Sequence, residues 1–226
     1  FKFIFDYRFG ATNNPFAATL ANGKIRVYTV GDILIDSAAG VISAGQWYYI
    51  AYKRVSGTSN LYVNGNSVGS ATDTTSFASA TNGYVGRRYD VSSYMWDGYI
   101  SDFRIITSPT SSGYAIPTAP LSSSGTSLHL KGTDASIIDK SGSTPLTLVG
   151  DTVCSTTQVK FSNSKSMYFA GSSDYITTQN LPALGTSDFT AEAWVYETVQ
   201  SAWGVVLDWR VVGGGGIYFF IDNGIL

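Results

Sequence analysis

The two ends of the chain carry the same short sequence pattern. Residues 3–8 read Phe-Ile-Phe-Asp-Tyr-Arg, and residues 205–210 read Val-Val-Leu-Asp-Trp-Arg. Each pattern leads through a glycine-bearing stretch to an Asn-Gly pair, at Asn22 and at Asn223. The two copies align with one deletion and define an internal repeat with a period of about 200 residues. Because the chain has 226 residues, we expect it to begin inside one repeat and to end inside the next.

Composition indicates a folded protein and argues against several classes. Charged residues make up 13% of the chain, against roughly 25% in an average soluble domain, and aromatic residues make up 14%. The net charge of -2 offers no long-range attraction to nucleic acid or acidic lipid. The chain has no apolar run of about 18 residues, so the sequence predicts no membrane span. The lone Cys154 fits a particle assembled in the cytosol or a secreted protein without disulfides.

Side-chain alternation predicts strands through most of the chain. Residues 23–30 alternate long polar and apolar side chains, as expected of a half-buried strand. Residues 47–55 carry aromatic or apolar groups on both faces, so this strand is either covered on both sides or points tyrosines outward. An Asn-Gly pair within residues 61–68 predicts a tight hairpin. Residues 189–196 place Phe, Ala, Ala and Val on one face and Thr, Glu, Trp and Tyr on the other.

Residues 108–125 differ in composition from the segments that flank them. They contain three prolines among serine, threonine and glycine. Proline lacks a backbone donor and fixes φ, so this stretch is a poor strand and a good linker. We therefore predict a domain boundary here, with residues 1–107 before it and residues 126–226 after it.

The order of motifs resembles a laminin-G-like, concanavalin A-like jelly-roll domain that has been cut in two. The second half of such a domain is similar to residues 46–51, 61–65, 83–87 and 97–105, all within 1–107. The first half is similar to residues 164–169, 174–176 and 188–195, all within 126–226. The resemblance implies an all-β antiparallel sandwich of two sheets with about six or seven strands each, present as two partial copies in tandem.

The repeated segments limit how these halves can close. Residues 1–25 and 203–226 claim the same strand positions, so we expect a single sandwich to hold only one of them. Half a sandwich exposes an inner face and is not stable alone. We therefore expect further repeats or neighbouring copies, in a homo-oligomer or beside other virion proteins, to complete the sandwiches.

The resemblance also implies a function. Tandem copies rich in Gly, Ser, Thr and Tyr are similar to virion and fibre proteins of marine bacteriophages, and they occur in bacterial surface adhesins. This implies a non-enzymatic structural and adhesion component on a virion surface or in an extracellular assembly, with host-glycan binding as a candidate role. The alternative is a lectin-like carbohydrate-binding module of a cellular adhesin or a secreted enzyme.

One loop has the residue types that contact sugars. Residues 87–97 combine aromatic, charged and polar groups, and loops often carry function. In the alternative interpretation, the tyrosine and tryptophan at 94 and 96 pack over the end of a sheet. The candidate glycan-binding residues are Arg87, Tyr89, Asp90, Tyr94 and Trp96.

Calcium is a candidate cofactor because laminin-G-like domains often hold Ca²⁺ through aspartates and backbone carbonyls. The favoured pair is Asp102 and Asp134, which should lie where the first and last strands of one copy are neighbours. In this chain the two residues belong to different copies. The alternative is that aspartates of this kind are turn residues bonded to their own backbone.

The sequence predicts no catalytic residues. Glucanases of related fold need two or three carboxylates close together on one strand. This chain has only two glutamates, Glu192 and Glu197, which lie five positions apart and so face opposite sides of a strand. A Ser-His-Asp arrangement would have to use His129, the single histidine, and no nucleophile-elbow motif is present. We therefore interpret His129 as a structural strand residue.

Overall fold

A computed structural model of the chain describes residues 2–6, 16–20, 23–29, 32–77, 82–87, 95–109, 114–133, 136–142, 145–171, 173–179, 184–198, 204–210 and 217–221. For residues 2–6, 16–20, 28–29, 32, 82, 204–210 and 217–221 the description covers the backbone alone. The described residues form strands and turns, and they contain no helix. Among them there is accordingly no helix of the length and apolarity needed to cross a membrane.

The strands, in chain order, are β1 (Lys2–Asp6), β2 (Phe16–Leu20), β3 (Lys24–Thr29), β4 (Asp32–Asp36), β5 (Trp47–Val55), β6 (Thr58–Val63), β7 (Asn66–Thr72), β8 (Asn82–Val85), β9 (Asp97–Thr107), β10 (Thr126–Gly132), β11 (Ile137–Asp139), β12 (Leu146–Val149), β13 (Val153–Ser155), β14 (Ser166–Ala170), β15 (Tyr175–Gln179), β16 (Phe189–Glu197), β17 (Gly204–Arg210) and β18 (Ile217–Ile221).

These strands form two antiparallel sheets. The first has nine strands in the order β12-β15-β8-β17-β18-β1-β2-β3-β4. The second runs β11-β10-β9-β16-β5-β6-β7, and β14 pairs with β9 while β13 pairs with β14. The predicted all-β antiparallel sandwich is confirmed.

The core lies between the two sheets. Ile25, Val27 and Ile35 of the first sheet and Phe103 and Leu128 of the second belong to one apolar cluster, and each is at most 3% exposed. Burial of such a side chain contributes roughly 1.5–3 kcal/mol. The inward positions follow the period of two that the sequence indicated, because successive side chains of a strand point to opposite faces.

The second sheet is also covered on its outer face. In β16 the inward residues pack in the core, while Trp194 points outward and is 3% exposed. It forms a second apolar cluster with Tyr49 and Ala51 of β5, Tyr62 of β6, and Leu121. The two-sided interpretation of the strand at 47–55 is therefore confirmed, and the outer face needs a cover.

The tight hairpin at 61–68 is confirmed as the turn between β6 and β7. Val63 pairs with Asn66, and the two residues between them, Asn64 and Gly65, have φ of 48° and 77°. Positive φ at both central positions is the requirement of a type I′ turn, which asparagine and glycine meet at low cost.

Both copies of the repeated segment lie in the first sheet, as the hairpins β1–β2 and β17–β18. Asp6 of β1 and Asp208 of β17 both lie opposite Tyr218 of β18. The expectation that one sandwich holds only one copy was wrong. Backbone hydrogen bonds can extend a sheet at any strand edge whatever the side chains, so a second hairpin can pair beside the first.

The two hairpins also share an irregularity. The register shifts between Phe3 and Phe5 in β1, and between Val205 and Leu207 in β17. These positions are equivalent in the sequence alignment of the two copies. Because a β-bulge is a specific feature of a strand, its recurrence shows that the repeat in sequence is also a repeat in structure.

The predicted halves are interleaved rather than separate. β16, from residues 126–226, lies between β5 and β9, both from residues 1–107. The first sheet has nine strands, and the continuous series β11 to β7 of the second sheet has seven. Without one of the two hairpins, the first sheet would also have seven strands. The assignment of residues 1–107 and 126–226 to two different repeats stays a prediction.

Candidate functional site

The segment predicted as a linker crosses the outer face of the second sheet. We call residues 114–125 the strap. The ring of Tyr114 stacks on Tyr62 with centroids 5.4 Å apart, and its centroid lies 5.6 Å from that of Tyr49. Leu121, farther along, is 6% exposed and joins the same cluster. The prolines suit this segment because it needs no partner strand, and its apolar side chains still find partners.

Hydrogen bonds fix the strap to β9 and β10. The Leu121 N–H donates to Asp102 Oδ2 at 3.1 Å, and Arg104 Nη1 donates to the Ser122 carbonyl at 2.8 Å. The hydroxyl of Ser123 lies 2.9 Å from His129 Nδ1. Three consecutive strap residues are therefore attached to side chains that point outward from two neighbouring strands.

A buried carboxylate lies at the centre of this face. Glu192 of β16 is 0% exposed and accepts hydrogen bonds from the Tyr49 hydroxyl and from Arg104 Nε. Burial raises the pKa of Glu192 above its usual value, although the Arg104 charge, both hydrogen bonds and the more distant Lys53 act in the opposite direction. The pKa of Tyr49 is also raised, first by burial and then by the carboxylate beside it. Each carboxylate oxygen has a donor, which is what keeps a buried charge tolerable.

A pocket of about 440 Å³ opens between the strap and the sheet. Two cationic side chains, Lys53 and Arg104, form part of its wall. The remaining wall is aromatic, hydroxyl-bearing and apolar, contributed by Tyr49, Ile106, Thr107, Ser108, Pro109, Tyr114, Ala115, Pro117, Ser124, Gly125 and Thr190.

One wall residue lacks an internal partner. Thr190 is 1% exposed, and its hydroxyl makes no hydrogen bond within the described residues. A buried hydroxyl without a partner costs about 1–3 kcal/mol, and a ligand or a water in the pocket can remove that cost. The pocket wall therefore combines two cations and two tyrosine rings with a threonine whose hydroxyl has no partner among the described residues.

The predicted glycan loop is placed only in part. Trp96 is 0% exposed and packs in the core between the sheets, so its ring presents no face to solvent. The Arg87 guanidinium lies 4.5 Å from the ring centroid of Tyr175 and 5.5 Å from that of Tyr84. The other three candidates, Tyr89, Asp90 and Tyr94, lie outside the described residues. The structure thus brings Arg87 and Trp96 to different environments, and the loop as a glycan site stays a prediction.

Of the predicted calcium pair, the structure describes one member. Asp102 is 3% exposed, and its Oδ1 accepts from His129 Nε2 at 2.9 Å and lies 3.3 Å from Lys131 Nζ. Its other oxygen accepts from the strap, so both oxygens already have protein partners. Asp134 lies outside the described residues. Within the residues described, no three His, Cys, Asp or Glu side chains form a cluster that could hold a metal ion.

The histidine and carboxylates that catalysis would require have structural contacts. Ser123, His129 and Asp102 form a hydrogen-bonded series, but the His129 ring is 0% exposed and Ser123 does not line the pocket. We interpret the series as an attachment of the strap. Glu192 and Glu197 lie five residues apart in β16, about 16 Å at the usual rise, well beyond the 5–10 Å of glycosidase pairs.

Sequence reasoning missed the pocket because it treated its two walls separately. The signal was present in the alternation of β5 and β16. Tyr49 and Lys53 share one face of β5, and Thr190 and Glu192 share one face of β16. The sequence predicts those faces, but it also predicts a linker at residues 108–125, so no local pattern indicates a segment that encloses them.

Comparison with known proteins agrees with this architecture. A laminin G family model, described as the concanavalin A-like lectin/glucanases superfamily, matches residues 3–113, just under half of the chain. Together with the two antiparallel sheets, the match shows a concanavalin A-like sandwich. The superfamily that this model describes includes both lectins and glucanases. No curated protein and no solved structure matches the chain.

Proposed function

We propose that this chain is a non-enzymatic adhesion module that binds a glycan in the pocket beneath the strap. The observation that carries the proposal is the Thr190 hydroxyl, which is buried in the pocket wall without a partner among the described residues. Binding sites for small polar ligands combine an apolar or aromatic wall with a few placed polar groups. Tyr49 and Tyr114 supply the aromatic part here, and a sugar hydroxyl can pair with Thr190.

The test is a screen of the full chain against immobilised glycans, followed by two matched variants. Thr190→Val removes the hydroxyl without changing the shape of the side chain, so the fold should be retained and the affinity should fall about fivefold. Thr178→Val is the control, because Thr178 is 2% exposed and its hydroxyl also lacks a partner in the described structure, but it lies in β15, away from the pocket. Absence of any bound glycan, or an equal effect of both variants, would refute the proposal.

We further propose that the module belongs to a string of like domains on a virion surface or in an extracellular assembly, such as a phage fibre or decoration. Two structurally equivalent hairpins in one sheet support this, because each repeat of a string needs one of them. The low content of charged residues suits an exposed element with few nonspecific contacts. Further repeats or neighbouring copies are the proposed partners. Mass spectrometry of purified particles should detect the chain, and a protein found only on cells would refute the virion setting.

A lectin-like module of a cellular adhesin or a secreted enzyme is the second candidate, favoured by the family match over residues 3–113. The lectin and the fibre component should differ in their oligomeric state. A soluble monomer that binds sugar without association to other copies supports the lectin, whereas symmetric contacts between copies support the fibre.

A further inference from the structure

We propose that the ligand of the strap pocket is an acidic sugar, whose carboxylate binds between Lys53 and Arg104 without a divalent metal ion. This inference rests on the proposed glycan-binding function and names the class of glycan. It concerns the outer face of the second sheet, not the aspartates that were candidates for calcium.

The charge of the pocket wall favours an anion. Among the described residues that line it, Lys53 and Arg104 are charged and none is a carboxylate. The strap, residues 114–125, contains no charged residue that could neutralise them from above. Lys53 is 3% exposed, and the Arg104 side chain is 16% exposed, so the pocket is the main route by which a ligand can reach either charge.

The neighbouring carboxylates are already engaged. Glu192 lies beneath the wall, bonded to Arg104 and Tyr49. The charge of Asp188 raises the pKa of Lys53, although Asp188 does not line the pocket. Its Oδ1 accepts a hydrogen bond from the Ser56 N–H at 2.9 Å. Burial lowers the pKa of Lys53, and the charges of Glu192 and Asp188 offset this only in part. The net effect is a lowered pKa of Lys53, and a bound anion would raise it, as these two carboxylates do.

The donors of the pocket suit a carboxylate in particular. Arg104 uses Nε for Glu192 and Nη1 for the Ser122 carbonyl, which leaves Nη2 without a partner among the residues described. An arginine N–H and a lysine ammonium can each donate to one oxygen of the same carboxylate, and such charge-assisted bonds are stronger than neutral ones.

An aromatic ring is positioned beside this anion site. Lys53 Nζ lies 5.6 Å from the centroid of the Tyr114 ring. A sugar whose carboxylate reaches Lys53 can therefore place its ring carbons near the tyrosine. The pocket volume of about 440 Å³ falls in the range of small-ligand sites. Hydroxyl, cations and ring then recognise different parts of one uronic acid unit.

Calorimetric titration of the full chain tests the proposal directly. The probes are an oligomer of a hexuronic acid and its carboxyl-reduced, neutral counterpart of the same length and linkage. We expect the acidic oligomer to bind at least about tenfold more tightly, more weakly at higher salt, and equally well with and without EDTA. Loss of binding in EDTA would overturn the metal-free site.

Variants separate the anion site from general charge. Lys53→Gln should reduce the affinity for the acidic oligomer about tenfold, and Lys53→Arg should restore much of it. Lys140→Gln is the control, since it removes the same charge from an exposed residue outside the pocket. Equal binding of both oligomers, with the dependence on Thr190 retained, would overturn the acidic class and leave glycan binding intact. Failure of both oligomers and of the glycan screen would reject both.

Discussion

A single buried carboxylate organises the outer face of the second sheet. Glu192 holds Tyr49 and Arg104 in fixed positions, and Arg104 in turn binds the strap carbonyl at Ser122. Burial of such a charge is costly, and a buried ion pair often contributes little net stability. Its value lies in positioning, because it sets the side chains that form the wall of the pocket.

The raised pKa of Glu192 predicts a specific pH dependence of stability. Between its unfolded value near 4.5 and its higher folded value, the folded chain binds more protons than the unfolded chain. The contribution of Glu192 to the free energy of unfolding therefore falls as pH rises through this window. Glu192→Gln lacks the titrating group, so the variant should gain stability relative to the natural chain as pH rises from 4 to 8. Urea denaturation at a series of pH values measures the difference, and a difference that is constant or shrinks would contradict the assignment.

Gly98 is a second residue on which the fold depends. It has φ of +148°, and an added Cβ would meet the Tyr196 carbonyl oxygen and lie 2.9 Å from Glu197 Cα. We expect Gly98→Ala to lower the free energy of unfolding by about 3 kcal/mol or more. Gly142→Ala is the matched control. Its φ is +70° and the space around it is open, so only the backbone strain of about 1–2 kcal/mol should appear. Equal losses in thermal denaturation would contradict the close contact at Gly98.

At the scale of elements, strands with strong alternation could be predicted and the strap could not. The faces of β16 and the turn at Asn64 followed from local chemistry alone. The strap depends on contacts distant in sequence, such as Leu121 with Asp102, that no local pattern encodes. Trp96 shows the same limit, because its loop has the composition of a ligand site although the ring is in the core.

The strap should depend on Leu121 for its attachment. Leu121→Ala removes a side chain that is 6% exposed and should cost about 2 kcal/mol, the low end for buried leucine because a surface strap can partly relax. It should also make the strap more open to proteolysis. Ile116→Ala is the control within the same segment, since Ile116 is 44% exposed. Limited proteolysis with mass spectrometry of the fragments distinguishes them, and equal cleavage of the two variants would contradict the anchoring role.

At the scale of the whole molecule, both hairpins pair in one nine-stranded sheet, and we interpret the chain as the strands of one sandwich plus one additional hairpin. Asp6 of β1 and Asp208 of β17 lie opposite the same residue of β18, and the two hairpins have their bulge at equivalent positions. The repeat in sequence predicted this equivalence correctly. It did not predict that both hairpins would pair in one sheet, because the sequence does not state how many strands a sheet accepts.

The central claim is that one hairpin suffices to close this sandwich. A permuted chain tests it, in which residues 126–204 are followed directly by residues 3–125. Phe3 then takes the place of Val205, and every strand position is filled once. We predict a monomer that unfolds in one cooperative thermal transition, with a midpoint no lower than that of the 226-residue chain. A permuted chain that fails to fold, or whose midpoint falls by more than about 4 °C, would show that both hairpins are needed and would contradict the account.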